Sequence, residues 1–295
     1  MTNHRDAVVQ PSSLRTLSPS SKFIGGFIVL LLGLCVVAAV VFFSTYDNGK
    51  NTLQTTPPAN SQYPVGVADA SQPSGYAPPG PNALANYALT YETNFDGSAL
   101  PKGWNVFFGV PGGDPGGQFG RKHVVVTHGL LELNTWKDPQ YNNQWVTGGL
   151  CQCGVPKTYG AYFVRSRVTG TGPNEVELLW PFDNKWPPEI DFNESAGLIS
   201  SSSSTIHWSP INQIEQRHVT IDMEAWHTWG VIWTRDTVSY IVDGQVWGRI
   251  TSRNEITKQP MTLDFEQIAF CSLDRECPTH PVSMQIDWVS EYTYK

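Results

Sequence analysis

Basic side chains are scarce in this sequence. Lys and Arg together number 19 against 26 Asp and Glu, which gives a formal net charge of −7 at pH 7. Binding of nucleic acid requires a basic surface that neutralises phosphates, so the composition argues against nucleic acid as a partner. Helical periodicity is also lacking beyond the N-terminal region, since no stretch repeats apolar residues at three- and four-residue spacing over several turns. The folded part is therefore not expected to be helical.

Aromatic residues and glycine, in contrast, are abundant. Aromatic side chains make up 12% of the 295 residues, with 11 tryptophans, and glycine contributes 26 residues. Flat aromatic faces suit sugar rings, and an acidic, tryptophan-rich chain is compatible with a carbohydrate ligand. The composition therefore favours a carbohydrate-directed protein, and its length allows one large or two small domains.

The N-terminal region differs in composition from the remainder. Residues 1–22 are polar, with several serines and basic residues, and are predicted to form a disordered tail. Phe23–Phe43 is a run of 21 uncharged, mostly apolar residues, which is long enough to cross a bilayer as one transmembrane helix. Residues 44–86 are rich in Pro, Gly and Ser without apolar periodicity, and are predicted to be a disordered, extended linker.

The charges that flank the apolar run predict its orientation. Three basic residues precede it and only Lys50 follows closely, so the positive-inside rule leaves residues 1–22 in the cytoplasm. The domain expected at 87–295 would then lie outside the plasma membrane, anchored by a single pass. A cleaved signal peptide is the alternative, because Ala38-Ala39 offers small residues within the run, and cleavage would release the protein.

The pattern from residue 87 onwards is that of β-strands. Short runs rich in Val, Ile, Thr and aromatic residues predict strands, at 159–168, 175–180, 228–233, 237–250 and 282–292. Every second residue from Val282 to Trp288 is apolar, which places these residues on a core face. Val242-Asp-Gly-Gln245 is predicted to be a two-residue hairpin turn. Together these features predict an all-β sandwich or jelly roll.

Three carboxylates lie within six residues, at Glu189, Asp191 and Glu194. In an extended strand, side chains two apart share a face, so Glu189 and Asp191 point together. Glu194 has the wrong parity for that face. A β-bulge at Phe192–Asn193 would return it there, and bulges often re-aim residues at active sites.

Three acids on one face repel one another, so at least one of them should hold its proton to higher pH than a free glutamate. The cluster would then supply both a protonated carboxyl and an anion, which is the pair that glycoside cleavage needs. The alternative is a solvent-facing strand with alternating acids. The residues around the cluster favour the catalytic interpretation.

The segment Trp186-Pro-Pro-Glu-Ile-Asp-Phe-Asn-Glu194 resembles the signature of glycoside hydrolase family 16, the laminarinase-like enzymes, in its Glu-x-Asp-x-x-Glu spacing. Further similarities follow in the order of that family, at 159–165, 178–180, 205–207, 226–229, 242–244 and 284–289. The resemblance covers nearly all of 87–295. It implies a concanavalin A-like jelly roll of two curved antiparallel sheets, with a sugar cleft on the concave face.

The resemblance also implies a role for each carboxylate. Glu189 resembles the nucleophile, Glu194 the general acid/base, and Asp191 the residue that supports the nucleophile. The implied activity is that of a retaining endo-β-glucanase that hydrolyses β-1,3-linked or mixed-linkage glucan outside the cell by double displacement. A transglycosylase that remodels wall or capsule polysaccharide and a lectin-like binder are the alternatives, although the intact acid triad argues against a pure binder.

Four further residues are candidate substrate-binding positions. Trp186, Trp180 and His207 match family positions near the cleft, and Arg165 is an additional candidate. Each also has a structural alternative. Trp180 and Trp186 could pack in the core, His207 could be a hydrogen-bonding residue of the scaffold, and Arg165 could pair with a surface acid. The serine run at 200–204 is expected to be a flexible loop.

Only five cysteines occur, and four of them lie beyond the predicted membrane span. An even number in an exported domain predicts disulfides. Cys271–Cys277 is the favoured pair, because it closes a short loop before the last strand. A zinc site formed by all four cysteines is the alternative.

The sequence identifies no cofactor and no catalytic metal. Members of the resembled family often carry a structural calcium, but no dense acidic loop indicates one here. The expected partners are a polysaccharide substrate and, through Phe23–Phe43, the membrane. The protein is expected to be a monomer.

Overall fold

The structure, a computed structural model, describes residues 61–273 and 277–295. The predicted cytoplasmic tail, the predicted membrane span at 23–43 and the first part of the predicted linker lie outside these residues. Within the described ranges, no helix has the length and apolar character that a membrane crossing requires. The helices found there are short 3₁₀ turns, at Arg121–His123, Pro139–Tyr141 and Cys271–Leu273.

Strands make up most of the described chain. In order they are β1 (Val67–Ala68), β2 (Tyr76–Ala77), β3 (Tyr87–Thr93), β4 (Asn105–Val106), β5 (Val124–Thr127), β6 (Leu130–Asp138), β7 (Gln144–Val146), β8 (Gly149–Cys151) and β9 (Gly160–Val168). The second half continues with β10 (Asn174–Pro181), β11 (Glu189–Glu194), β12 (Ser201–Trp208), β13 (Gln213–Thr220), β14 (His227–Trp233), β15 (Val238–Val242), β16 (Gln245–Ile250), β17 (Met261–Ile268) and β18 (Val282–Tyr294).

The strands form two large antiparallel sheets and one small hairpin. In the seven-stranded sheet the order is β13-β12-β11-β10-β17-β8-β4. In the nine-stranded sheet it is β16-β15-β14-β9-β18-β6-β5, with β3 beside β18 and β7 beside β6. Strands β1 and β2 pair with each other. The prediction of an all-β, jelly-roll-like sandwich of antiparallel sheets is confirmed.

The main core lies between the two large sheets. Strand periodicity sends alternate side chains there, so Leu179, Ile190 and Ile206 from neighbouring strands of the seven-stranded sheet are fully buried. They belong to one apolar cluster with Val164 and Trp229 of the nine-stranded sheet. Burial of each such side chain contributes about 1.5–3 kcal/mol, and this fixes which face of β11 points inward. The opposite face is left for polar residues.

Two strand details were predicted from the sequence, and the structure bears out one fully. Asp243 and Gly244 have positive φ angles of 46° and 77° between β15 and β16, as the predicted hairpin turn requires. In β18, Ile286 faces the main core as predicted, but a register shift between Ile286 and Trp288 reverses the alternation. Trp288 therefore packs in a separate apolar cluster, and Val289 takes the core position.

Residues 61–86 pack against the outer face of the nine-stranded sheet. The Trp288 indole N–H donates to the Tyr76 carbonyl at 3.0 Å, and the Tyr292 hydroxyl donates to the Gly80 carbonyl at 2.8 Å. The segment also contributes to the outer apolar cluster. The expectation of a disordered linker up to residue 86 does not hold for 61–86, because β18 offers this segment apolar contacts and hydrogen-bond donors.

Both pairs of cysteines beyond the N-terminal run form disulfides. Cys271–Cys277 is bridged as predicted, with Cα atoms 4.6 Å apart. Cys151–Cys153, which was not the favoured pair, is bridged as well, with Cα atoms 5.0 Å apart. Strand β8 ends at Cys151, so the chain turns away from extended geometry, in which the Cα atoms of residues two apart would be about 6.6 Å from each other.

Candidate active site

Strand β11 carries all three carboxylates and is irregular where the spacing predicts it. Towards β12, Asp191 pairs with Thr205 and Glu194 pairs with Ser203, so Phe192–Asn193 opposes a single residue of β12. Thr205 and Ser203 are two apart and share a face, and therefore Asp191 and Glu194 share it too. The predicted bulge is confirmed, together with the common face of these two acids.

The neighbouring strand β12 contains the serine run. Ser201–Trp208 is a complete strand that pairs with β11 on one side and β13 on the other. The expectation of a flexible loop at 200–204 is therefore wrong. Serine has little preference for strands, but hydrogen-bonded partners on both sides of a mostly buried strand override that weak local preference.

Glu189 begins β11 directly after the Trp186-Pro-Pro segment. The Trp186 indole N–H donates a hydrogen bond of 2.6 Å to Glu189 Oε2, and Trp186 is 42% exposed. Such a donor favours the ionised form of the carboxylate. Trp186 thus orients Glu189 and leaves part of its aromatic side chain exposed.

Asp191 is 3% exposed and faces His207 across the strand pair, with His207 Nε2 3.2 Å from Asp191 Oδ2. The other ring nitrogen, Nδ1, lies 2.8 Å from Asn212 Oδ1, an oxygen that accepts from an N–H. One proton must then lie between His207 Nε2 and Asp191 Oδ2, carried either by the imidazole or by the carboxyl. The second oxygen, Asp191 Oδ1, is buried and has no hydrogen-bond partner among the described residues.

Glu194 is partly buried and is held by its neighbours on both sides. Asn174 Nδ2 of β10 donates to Oε1 at 2.9 Å, and Thr205 Oγ1 of β12 donates to Oε2 at 3.5 Å. Gln216 Nε2 donates to the same Thr205 hydroxyl at 2.9 Å, which leaves the hydroxyl proton free to point towards Glu194. The carboxylate is therefore oriented and still accessible to a ligand.

Burial and mutual repulsion raise the pKa values of the Glu189 and Asp191 carboxyls. Glu189 is partly accessible but densely surrounded by protein, and its pKa is raised well above the ordinary value, first by burial and then by the charge of Asp191. The pKa of Asp191 is raised likewise, first by burial and then by the charge of Glu194. The prediction that at least one acid keeps its proton is thus supported in direction. The two carboxyls also share a hydrogen bond, which requires a proton on one of them, so the pair holds a common proton.

Trp180 lies on the face that bears the acids. Leu178, two residues earlier on β10, pairs with Asp191, so alternation puts Trp180 on the same side of the sheet. Trp180 is partly exposed, and its indole N–H donates to Asn184 Oδ1 at 3.0 Å. The register thus favours the position predicted for a cleft residue over the core alternative.

Two further carboxylates, which the sequence analysis missed, extend this face over β17. Asp264 and Glu266 pair with β10 residues of the same face. Asp264 is fully buried and accepts from the Thr262 hydroxyl at 2.8 Å. Glu266 is partly buried, and its charge contributes to the raised pKa of Asp191. The alternation of apolar and polar residues in 261–268 was the signal that could have revealed both.

The carboxylate face adjoins a depression of about 430 Å³ beside Trp186. Its wall includes the indole of Trp208 and the side chains of Glu255 and Gln259. Because Trp186 lines this depression and also contacts Glu189, the depression begins beside the carboxylate face.

Arg165 does not belong to this face. It lies on β9 of the nine-stranded sheet, where it is 4% exposed and donates to the hydroxyls of Ser74 and Thr228. Its guanidinium lies 3.7 Å from an oxygen of Asp243 and 4.7 Å from the ring centre of Tyr76. The placement gives no support to the predicted substrate-binding role. Arg165 instead pairs with a buried acid and holds part of the N-terminal segment.

Three side chains of the site are of types that can bind a metal ion. Glu189, Asp191 and His207 each place one potential ligand atom within 4.8 Å of the other two. Carboxylate and imidazole groups of this kind can coordinate a divalent cation. The hydrogen bonds with Trp186 and Asn212 already orient the same groups for acid–base chemistry, so the arrangement is accounted for by proton transfer.

Taken with the fold, this site defines a class of protein, namely a carbohydrate-active β-sandwich with an acid pair on the outer face of one sheet. The family model "Glycosyl hydrolases family 16" matches residues 118–290. The chain belongs to this family, and the resemblance noted in the signature segment is confirmed.

Similar proteins agree with that assignment. The chain is 24% identical over 143 residues to "Endo-1,3-1,4-beta-glycanase ExsH" of Rhizobium meliloti (strain 1021). The aligned region covers 46% of this chain and 31% of that protein. The chain thus spans about a third of the length of this curated relative.

Among solved structures, the laminarinase from Rhodothermus marinus superposes with a TM-score of 0.64 at 18% identity, covering 71% of this chain and 98% of that one. The endo-β-1,3-glucanase from Pyrococcus furiosus gives 0.62 at 19% identity, covering 71% and 95%. At these identities the structural likeness shows a common fold.

Proposed function

We propose that the protein is a retaining endo-β-glucanase that hydrolyses β-1,3-linked or mixed-linkage glucan. The observation that carries the proposal is the placement of Glu189 and Glu194 on one face of the seven-stranded sheet, with Asp191 between them and Trp186 beside Glu189. The named activities of the similar proteins, an endo-1,3-1,4-β-glycanase, an endo-β-1,3-glucanase and a laminarinase, support the choice of substrate.

In the first chemical step, Glu189 attacks the anomeric carbon while Glu194 gives its proton to the leaving oxygen. When the proton shared by Glu189 and Asp191 lies on Asp191, Trp186 N–H stabilises the Glu189 anion and no second negative charge lies beside it. His207 fixes the Asp191 carboxyl through Nε2. The role of Asp191 is therefore to support the nucleophile.

In the second step, Glu194 takes a proton from a water molecule, and that water attacks the glycosyl-enzyme from the side that the leaving group vacated. Two displacements at one carbon retain its configuration. Asn174 and Thr205 orient the Glu194 carboxylate for both transfers, because they bind it from the two strands that flank β11. The acid and base functions thus belong to one residue.

The extent and charge of the face support an uncharged polymer as substrate. Seven strands at ~4.8 Å spacing give the face a width of about 29 Å, which accommodates several sugar rings and favours cleavage within a chain. Across the described strands, the positions on this face include Glu189, Asp191, Glu194, Asp264 and Glu266 but no Lys or Arg. Sulfated or carboxylated galactans would be repelled, whereas neutral glucans would not.

Product analysis with a panel of β-glucans and galactans tests the proposal. The wild-type protein should release a range of oligosaccharides from a β-1,3-glucan or mixed-linkage glucan, and Glu189→Gln should release none. Products longer than the starting oligosaccharide would instead identify a transglycosylase. Binding without any product, unchanged by Glu189→Gln, would favour a lectin-like protein and refute the enzyme.

We further propose that the enzyme acts outside the cell, anchored by Phe23–Phe43. The two disulfides, Cys151–Cys153 and Cys271–Cys277, support an oxidising compartment. External protease on intact cells should remove the domain by cutting within 44–60, ahead of the packed segment, and leave a short membrane-bound fragment. Soluble protein in the medium that begins beyond residue 40 would show a cleaved signal peptide instead.

A further inference from the structure

Hydrogen bonds on the core-facing side of the seven-stranded sheet hold the bulge that places Glu194 on the carboxylate face. The backbone N–H of Glu194 donates to Ser202 Oγ at 3.1 Å, and Ser202 Oγ donates its own proton to Asn193 Oδ1 at 2.7 Å. Because the serine oxygen accepts from an amide and then donates to an amide oxygen, the two bonds polarise each other in one direction. One hydroxyl thus holds both the N–H of the peptide that joins Asn193 to Glu194 and the side chain of Asn193.

The same chain of polar contacts continues across the interior of the sandwich. The Asn193 side chain lies beside the carboxyl of Glu177, because the two residues are register partners in β11 and β10. Ser166 Oγ of β9, in the nine-stranded sheet, also donates to Glu177. Glu177 is fully buried, and burial raises its pKa to about 8, so at neutral pH it is an uncharged carboxylic acid. The bulge is therefore tied to the opposite sheet without a buried charge.

We propose that Ser202 is a positioning residue for Glu194, acting through the bulge peptide together with Asn193 and Glu177. The proposal rests on the function proposed above, in which Glu194 is the acid/base. Its geometric basis is that the side-chain contacts of Glu194 fix only the carboxylate, whereas Ser202 is the side chain that binds its backbone N–H.

Removal of the Ser202 hydroxyl leaves a buried N–H without an acceptor and lets the bulge peptide turn towards another one. A displacement of about 1 Å at a catalytic group can cost about 100-fold in rate. The loss should appear where Glu194 acts as an acid and not where the leaving group departs without a proton. This dependence distinguishes positioning from a general loss of stability.

The strand offers a matched control. Ser204 lies two residues further along β12, on the same inward face, and is fully buried. Its hydroxyl has no hydrogen-bond partner among the described residues. Ser202→Ala and Ser204→Ala therefore remove the same atom from similar surroundings, but only the first breaks a bond to the bulge.

The kinetic test compares aryl glycosides of a β-1,3-linked glucose disaccharide with a good leaving group, dinitrophenol, and a poor one, methoxyphenol. We expect Ser202→Ala to lower kcat/KM for the poor leaving group about 10- to 100-fold, with less than about 3-fold change for the good one. Ser204→Ala should change neither. Equal losses for both substrates, or no loss for either, would overturn the proposal.

A second measurement does not depend on activity. Hydrogen exchange of the Glu194 amide should accelerate at least about 10-fold in Ser202→Ala and stay unchanged in Ser204→Ala, because only the first variant loses the acceptor. If the wild-type protein cleaves no glucan but the variants show this exchange pattern, the proposed function is wrong, whereas the hydrogen bond from the Glu194 amide to Ser202 is confirmed. Unchanged exchange of the Glu194 amide in Ser202→Ala would show that Ser202 does not hold the bulge.

If Ser202→Ala does not fold, the pair Ser202→Thr and Ser202→Val replaces it. These two side chains share a shape and differ in the hydroxyl, so any strain from the added atoms is common to both. Ser202→Thr should keep both the activity on the poor leaving group and the slow exchange of the Glu194 amide, and Ser202→Val should lose both. Identical behaviour of the two variants would overturn the proposal.

Discussion

The buried carboxyl of Glu177 should make the protein less stable as the pH rises, and Glu177→Gln should remove that effect. In the folded protein the pKa of Glu177 is about 8, against an ordinary value of 4.5. Between these two values the folded state keeps a proton that the unfolded state releases, so the free energy of unfolding falls as pH increases. Below pH 4.5 both states are protonated and above pH 8 both are ionised, so the loss is confined to that window.

The magnitude follows from the size of the shift. Each pKa unit corresponds to about 1.36 kcal/mol, so 3.5 units correspond to about 5 kcal/mol across the whole window. Between pH 5 and pH 8 the wild-type protein should lose about 3 to 4 kcal/mol relative to Glu177→Gln. The glutamine keeps the shape of the acid, accepts from Ser166 and carries no titratable proton, so the two proteins should have similar stability near pH 5.

Urea denaturation of both proteins at several pH values between 5 and 9 measures this difference. The exposed Glu224 provides the control, since Glu224→Gln changes the same chemical group at the surface. We expect the curves for wild type and Glu224→Gln to run parallel and the curve for Glu177→Gln to diverge upwards with pH. Parallel curves for all three proteins would refute the reasoning, because they would mean that Glu177 ionises alike in the folded and unfolded states.

Three other predictions address catalysis and packing. Glu189→Gln should abolish cleavage even of substrates with activated leaving groups. Glu194→Ala should still form the glycosyl-enzyme from such substrates, and azide should restore turnover by giving a glycosyl azide of retained configuration; the same retained product from the position 189 variant would reverse the roles. Trp186→Phe keeps an aromatic face but removes the N–H donor to Glu189, so the pKa of that carboxyl should rise and the acidic limb of the kcat/KM profile should move to higher pH; an unmoved limb would contradict the contact. Phe192→Ala should cost about 3–5 kcal/mol in the free energy of unfolding by urea, because Phe192 is fully buried in the main core; a cost below 1 kcal/mol would place the ring elsewhere.

The catalytic strand could be predicted from very few residues because the direction of a strand side chain is a local property. Alternation put Glu189 and Asp191 on one face, and the extra residue before Glu194 required a bulge. The Asp243-Gly244 turn was predictable for the same reason, since its positive φ angles depend on these two residues themselves. Proximity along the chain predicted the direction of the pKa shift in the triad, although burial is its larger cause.

Other features depended on partners that are distant in sequence. Arg165 points away from the carboxylate face because β9 pairs with β14 and β18 in the other sheet. The serine run forms a strand because β11 and β13 bind it on both sides. The packing of residues 61–86 likewise requires the aromatic side chains of β18.

The tertiary structure also decided where protons reside and what holds the bulge. Glu177 and Ser202 carry no catalytic pattern in the sequence, and they meet Asn193 only because β10 and β12 flank β11. Local sequence thus determined the order and direction of the catalytic groups, whereas burial and long-range strand pairing determined their protonation and support, because desolvation and hydrogen-bond partners arise only when distant segments pack together.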